Sequence, residues 1–334
     1  MRANRPMVER HGPVTARIAR HAFWLLAAMA GICLLNASTA RGAEATARAS
    51  RGRGVIRGSI FGVPDDQRVW TPLPLRTLFS EGWDEPWISP PSGDSGAVRQ
   101  GWVDSAVDGL FYRNFVWLFS RTDGLPQGRD SGLGLFQFQS PLSRRAWISL
   151  DVPFVTALYG DSGPYQAASF GDFNVTTRIM LRETRNLSVV ASFGARSPTG
   201  VPQTGNGLAL LFPNMEFWSD LGGGVALRGG MGVEVPTNRF GSQRATMVTN
   251  LALGRTVTAH DSWPLGDFQY YLAATVRDNL EGSPGSLPGT YASLTPGFRT
   301  HLGREYYLAG GYELPVTGSQ VLSQRLTIFF VKGF

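Results

Sequence analysis

From Phe111 to the C-terminal Phe334 the sequence keeps one pattern: segments of roughly 8–13 residues that alternate apolar and polar side chains, separated by clusters of Gly, Pro, Asn, Asp and Ser. Twelve strands are predicted, near 111–120, 133–139, 146–156, 170–182, 186–196, 207–218, 223–235, 244–256, 266–277, 290–300, 304–315 and 323–334. In 172–182, Phe173, Val175, Thr177, Ile179 and Leu181 oppose Asp172, Asn174, Thr176, Arg178 and Arg182. In 267–277, Phe268, Tyr270, Leu272, Ala274 and Val276 oppose Asp267, Gln269, Thr275 and Arg277. A helix would scatter these residues around its circumference, whereas a strand puts each set on one face. The second and sixth segments are the weakest, the sixth because Pro213 interrupts it.

Alternation fits two architectures. A soluble sandwich buries two apolar faces and gives its charges to water, while an outer-membrane barrel turns the apolar face to lipid and lines a lumen with the polar one. Segment length and the chain end separate them. A transmembrane strand needs about 9–11 residues, and several segments reach that. In the last segment Leu326, Ile328, Phe330 and terminal Phe334 share a face, with Arg325, Thr327 and Gly333 opposite. An alternating strand ending in an aromatic residue resembles the C-terminal assembly signal of bacterial outer-membrane proteins, carried here by Phe330 and Phe334. The expected fold is therefore all-β, a transmembrane antiparallel up-and-down β-barrel of about twelve strands, with outer-membrane lipid and the barrel assembly machinery as partners. With Phe334 on the periplasmic side, outer loops fall near 121–132, 157–169, 197–206, 236–243, 278–289 and 316–322. Periplasmic turns fall near 140–145, 183–185, 219–222, 257–265 and 301–303, and the outer set is on average the longer.

The N-terminus agrees with export. Arg2, Arg5, Arg10, Arg17 and Arg20 precede an apolar run from Ala22 to Leu35, and Ser38 and Ala40 supply small residues for cleavage, so 1–40 is expected to be a signal peptide. Cleavage after Ala40 removes five Arg and one Glu, and the formal charge of +6 falls to +2, which removes the case for a nucleic-acid partner. The single cysteine, Cys33, leaves with the signal; Ile32 before it is unlike the small residue of a lipidation site. Residues 41–110 form an Ala/Gly/Arg-rich start and then a Pro/Trp-rich segment. Pro64, Pro72, Pro74, Pro86, Pro90 and Pro91 exclude long helices or central strands there. Its tryptophans, Trp70, Trp83, Trp87 and Trp102, suit an irregular packed leader that sits in the periplasm or enters the lumen.

The run Phe170-Gly171-Asp172-Phe173-Asn174-Val175-Thr176-Thr177-Arg178, followed by the strand 187–196 closing in Ser197-Pro198-Thr199-Gly200, resembles the MetA-pathway phenol-degradation family of outer-membrane proteins. The likeness covers about 150–334 and departs from the family at Phe173 and Asn174, where small or aliphatic residues are more usual. It implies a barrel linked to uptake of hydrophobic or aromatic compounds.

Catalytic chemistry is scarce. Beyond residue 40 the only histidines are His260 and His301, in separate turns, so a metal site is not expected. Lys332 is the sole lysine, which excludes a phosphate-binding loop of the Gly-x-x-x-x-Gly-Lys type. His260-Asp261-Ser262 carries the His and Ser of an outer-membrane phospholipase without that family's surrounding Asn and Gly; its plainer reading is a polar turn before Trp263-Pro264. No enzyme activity and no cofactor are expected. Candidate lumen-lining residues are Asp172, Arg178, Arg182, Arg196, Arg228, Glu234, Asp267, Arg277, Arg299, Glu305 and Glu313. They would either fill a narrow lumen as paired charges or form a polar path. The expected function is porin-like transport of small, hydrophobic or aromatic solutes. A non-conducting structural or adhesion barrel and a lipid-modifying hydrolase are the alternatives.

Overall fold

The computed structural model describes residues 55–62, 69–103, 108–125, 129–160, 163–165, 169–200, 207–238, 245–280, 290–317 and 322–334. The expected signal peptide, 1–40, lies outside the described residues, as does most of the loop sequence at one barrel end. A short helix α1 (Val55–Phe61) and a 3-10 turn (Leu75–Thr77) precede the strands. These are β1 (Asn114–Leu125), β2 (Arg129–Pro141), β3 (Ala146–Gly160), β4 (Gly163–Tyr165), β5 (Ser169–Phe170), β6 (Asn174–Glu183), β7 (Leu187–Arg196), β8 (Leu210–Gly222), β9 (Val225–Pro236), β10 (Thr246–Thr256), β11 (Gly266–Asn279), β12 (Tyr291–Gly303), β13 (Tyr306–Pro315) and β14 (Gln324–Gly333).

The wall is a closed antiparallel barrel of twelve strands, β1–β3 and β6–β14, each paired with its neighbours in sequence. Closure comes from β1 on β14, in register from Asn114↔Gly333 to Asp123↔Gln324. The two short strands β4 and β5 pair only with β3 and stand outside the ring. Closure pairs the backbone of every wall strand on both sides, which a hydrocarbon surrounding requires.

Period two sets the two faces. Trp117, Phe119, Phe193, Leu272, Leu326 and Phe330 are 40–56 % exposed on the outside, while Arg228, Glu216 and Gln269 are at most 1 % exposed within. This inversion, apolar outside and polar inside, defines a transmembrane barrel. Proline leaves its mark without breaking the wall. Pro213 sits in β8 opposite Phe193 of β7, but the β8–β9 ladder skips from Leu211↔Val235 to Asn214↔Gly232. Pro296 likewise leaves a gap between Leu294↔Leu314 and Gly297↔Gly311. A residue without N–H can be held in a wall strand at the cost of one ladder bond.

Two local features depart from the sequence reading. β1 and β2 run on to Leu125 and Arg129, so the connection expected over 121–132 contracts to 126–128. Strand β6 begins at Asn174, and the Gly-Asp opening at 171–173 is irregular.

The terminal Phe334 ring lies 4.8 Å from Phe115 and 5.9 Å from Phe138, and its N–H donates to Arg113 O at 3.2 Å. It thus fastens the β14 end across the closing seam, with each aromatic contact worth about 0.5–1.5 kcal/mol. Removing Phe334 is expected to cut the fraction of chain that folds in membranes several-fold, read as the heat-modifiable band on a gel. An unchanged fraction would show that the last residue contributes nothing to closure or assembly.

Candidate functional site: the barrel lumen

The interior is occupied by the chain's own N-terminal segment. Leu73 pairs with Glu183 at the end of β6 through two backbone bonds, Leu73 N–H to Glu183 O at 2.7 Å and Glu183 N–H to Leu73 O at 2.8 Å. Arg145, fully buried in the β2–β3 turn, donates to the carbonyls of Glu81, Pro74, Met180 and Leu181 at 2.8–3.1 Å. A charged donor satisfied by four carbonyls fixes the entry of the segment without a carboxylate partner. Ser95 N–H donates to Asp220 Oδ2 at 2.9 Å, tying the segment to the end of β8.

Residues 97–103 and 108–112 then pack against inward faces of the wall. Trp102 stacks on Tyr271 of β11 with ring centroids 4.7 Å apart and 4° between planes. Its Nε1–H donates to Gln269 Oε1 at 2.7 Å, and the Arg228 guanidinium lies over its ring at 3.5 Å. Ala97, Trp102, Val103 and Leu110 form one buried apolar cluster with Trp218, Ala226, Ala252, Tyr271, Ala273 and Ala309 from β8, β9, β10, β11 and β13. Opposite, Leu73, Trp87 and Phe111 pack with Trp147, Met180 and Val190 of β3, β6 and β7. Small wall residues make room: a Cβ on Gly254 would sit 2.6 Å from Trp102, and one on Gly311 2.9 Å from Val103.

Four charges meet beneath this wedge. Asp108 of the segment lies 3.4 Å from Arg178 of β6 and 3.8 Å from Arg228 of β9, and Glu216 of β8 lies 3.4 Å from Arg178. The group is balanced, two cations against two carboxylates, and none of the four side chains is more than 8 % exposed. Tyr112 donates its hydroxyl to Asp108 Oδ2 at 2.6 Å; burial and then the Asp108 carboxylate push its phenol well above the usual range, so it stays a donor. Gly109 is held at φ +67 against β8, where a Cβ would lie 2.5 Å from the backbone of Phe217. Gly109→Ala is expected to destabilise the fold by at least about 1–3 kcal/mol. At Gly101 an added Cβ meets Tyr112 at an ordinary 3.7 Å, so Gly101→Ala is near neutral. Urea unfolding in detergent distinguishes the two.

The structure brings together some of the residues singled out in the sequence and separates others. Arg178 and Arg228 share Asp108. Glu234 and Arg277 pair at 3.1 Å towards the loop end, and Glu313 pairs with Arg325 at 3.2 Å and accepts from Tyr291 at 2.8 Å. Arg196 donates to Asn174 at 3.0 Å and covers the Phe212 ring. Arg299 is buried with its guanidinium 4.3 Å from the Tyr307 ring centroid. Asp172 accepts from Gly200 N–H at 2.9 Å and so ties the β5–β6 link to the start of the next loop. Arg182 is displaced by a register break: Met180↔Val190 is followed by Arg182↔Val189, and the extra residue turns Glu183 inward instead. Glu183 then meets the buried Arg99 at 3.5 Å. Glu305 lies in the β12–β13 turn at φ +61, off the strand where alternation placed it, and accepts from Tyr307 at 3.1 Å.

Sequence reasoning carried Trp102 only as one of four tryptophans of a leader that sits in the periplasm or enters the lumen, and it missed Asp108, Tyr271 and Glu216. The last two carry a signal, since each continues the inward parity of its strand; Asp108 and Trp102 carry none, because the leader has no period.

His260, in the β10–β11 turn, is engaged by Asp267 rather than Ser262, with Nδ1 2.6 Å from Asp267 Oδ2. That contact raises its proton affinity above the ordinary imidazole value. Asp267 is thereby held at the turn-end rim, at φ +46 beside a register break, and not within the lumen charge group.

These features define a class: a twelve-stranded transmembrane barrel whose lumen is crossed by its own N-terminal segment. No protein-family model and no curated protein matches the sequence. Among solved structures, the COG4313 outer membrane channel from Pseudomonas putida F1 is similar at 16% identity and a TM-score of 0.54, over 71% of this chain and 100% of that one. A KdgM porin aligns at 7% identity and a TM-score of 0.46, over 66% of this chain and 99% of that one. The first likeness places the fold among outer-membrane barrels.

Proposed function

We propose that the protein is an outer-membrane channel for small hydrophobic or aromatic solutes, with residues 97–103 and 108–112 as its constriction and Phe334 at the periplasmic end. The observation that carries this reading is the position of Trp102: a single aromatic side chain of a strandless segment, wedged against Tyr271 and Arg228 across the interior. Residues 97–103 and 108–112 meet the wall through side-chain contacts and not a ladder, so they can be displaced while the Leu73–Glu183 backbone pair and the barrel stay in place. Paired charges line the way on either side, Glu234 with Arg277 and Arg178 with Asp108, leaving a lumen of low net charge suited to uncharged solutes. A twelve-stranded barrel lies between those filled by side chains at about eight strands and those open at about sixteen. Its transport would be passive, with no covalent step and no cofactor.

Planar-bilayer recordings and uptake of phenolic solutes into proteoliposomes test the proposal. Solute flux above protein-free vesicles is expected, with little steady ionic conductance. The filled interior favours one competing reading, a non-conducting structural barrel, and absence of flux for every small solute would select it.

A further inference from the structure

At the turn end of the barrel, strand pairing brings His301 of β12 against His260 and Asp267, which flank the β10–β11 turn. The His260 and His301 rings stack with centroids 4.3 Å apart and 16° between planes, and Asp267 closes the third side at 2.6 Å from His260 Nδ1. One ligand atom from each of the three lies within 4.8 Å of the others. The placement follows from the β11–β12 register, in which Gly266 faces His301 directly. His301 is 92 % buried, its other face lies 4.9 Å from the Tyr307 ring, and its Nε2 is buried without a hydrogen-bond partner among the described residues. A buried imidazole nitrogen left without a partner costs free energy unless something binds it. Gly266 belongs to the same construction: a Cβ there would lie 2.2 Å from His260 O and 3.3 Å from His301 Nδ1. Asp261 and Glu305 add negative charge around His260.

We propose that His260, Asp267 and His301 form a binding site for one divalent transition-metal ion of the zinc class. Two imidazoles and one carboxylate match zinc, copper or nickel and not calcium or magnesium, whose sites are built from oxygen. Three protein ligands leave a fourth position for water or an incoming ligand. Tetrahedral ligand bonds of about 2.0–2.2 Å set the donor atoms about 3.3 Å apart, so the 2.6 Å His260–Asp267 contact must open and any wider separation in the trio must close. The exposed His260, 55 % accessible on a turn, makes that adjustment by leaving the ring stack, while His301 and Asp267 stay fixed by burial. The ion takes the place of the proton shared by His260 and Asp267, which passes to solvent. Bound there, it staples the β10–β11 turn to β12 at the rim.

The test is titration of the untagged, full-length protein in detergent with Co2+, followed by its visible ligand-field absorption, and with Zn2+ by calorimetry. One ion per chain is expected. His260→Gln and Asp267→Asn should each weaken binding at least about 10–100-fold, and Ser262→Ala should bind as the wild type does. His260 is exposed, so His260→Gln keeps the barrel intact, which its heat-modifiable band verifies. Absence of saturable Co2+ and Zn2+ binding to the folded wild type, or wild-type affinity in folded His260→Gln, would overturn the assignment. Neither result touches the channel reading, which is measured by flux.

Discussion

Deleting residues 97–110 is expected to turn a barrel with little steady conductance into one with a resolved, ohmic single-channel current. The deleted stretch supplies every segment residue of the apolar cluster around Trp102 and the Asp108 carboxylate beneath it. What remains at that level is the wall's own inward set: small residues such as Ala226, Ala252, Ala273 and Ala309, with Arg178, Arg228 and Glu216 newly wetted. Water then solvates those charges, so the wall does not depend on the segment to neutralise them. Trp102→Ala is the milder form. It removes the stack on Tyr271, the bond to Gln269 and the ring under Arg228, a loss of about 3–5 kcal/mol for a buried aromatic. It should give flickering openings between the wild-type and deletion levels. A folded deletion variant that conducts no more than wild type would show that the constriction lies elsewhere.

Asp108→Ala is expected to be the most destabilising single substitution in the interior, at about 3–5 kcal/mol, because it leaves two buried guanidinium groups facing one carboxylate. Tyr112 also loses the acceptor for its hydroxyl. The comparison is Arg277→Ala at the Glu234 pair, where the arginine side chain is 46 % exposed and the expected cost is about 0–1 kcal/mol. If charge balance is the cause, Asp108→Ala combined with Arg228→Met should recover part of the loss, since Arg178 and Glu216 remain as a neutral pair. Equilibrium unfolding in urea and detergent measures all four proteins. Equal losses at Asp108 and Arg277 would rule out the buried group as a stabilising unit.

The wall was legible because a strand has only two faces. Alternation in segments such as 267–277 assigned Tyr270 and Leu272 outward and Gln269 inward, as the structure has them, half-exposed and fully buried respectively. The alternation failed where the chain departs from a regular ladder. The break after Met180 exchanged Arg182 for Glu183, and the tight turn after Gly303 took Glu305 off its strand. Neither event has a marker in the residues themselves, because a bulge is decided by how two strands fit one another. His260 and His301 show the same limit over a longer distance. The sequence reading put them in separate turns; the structure keeps His260 in the β10–β11 turn but extends β12 through His301, and only the antiparallel register of β11 on β12 stacks their rings.

The sequence by itself therefore determined the container: twelve strands, their inner and outer faces, and the aromatic residue that ends the last of them. Each of those follows from local periodicity and chain order. For the contents the sequence left open whether the leader enters the lumen, and which leader residues lie there and against what was decided by the tertiary structure. Trp102, Asp108 and Arg145 act through partners far away in the chain, across a closed ring whose curvature no period reports. A segment rich in proline and without repeat has no preferred face, so where it lies depends on the cavity that the wall first encloses.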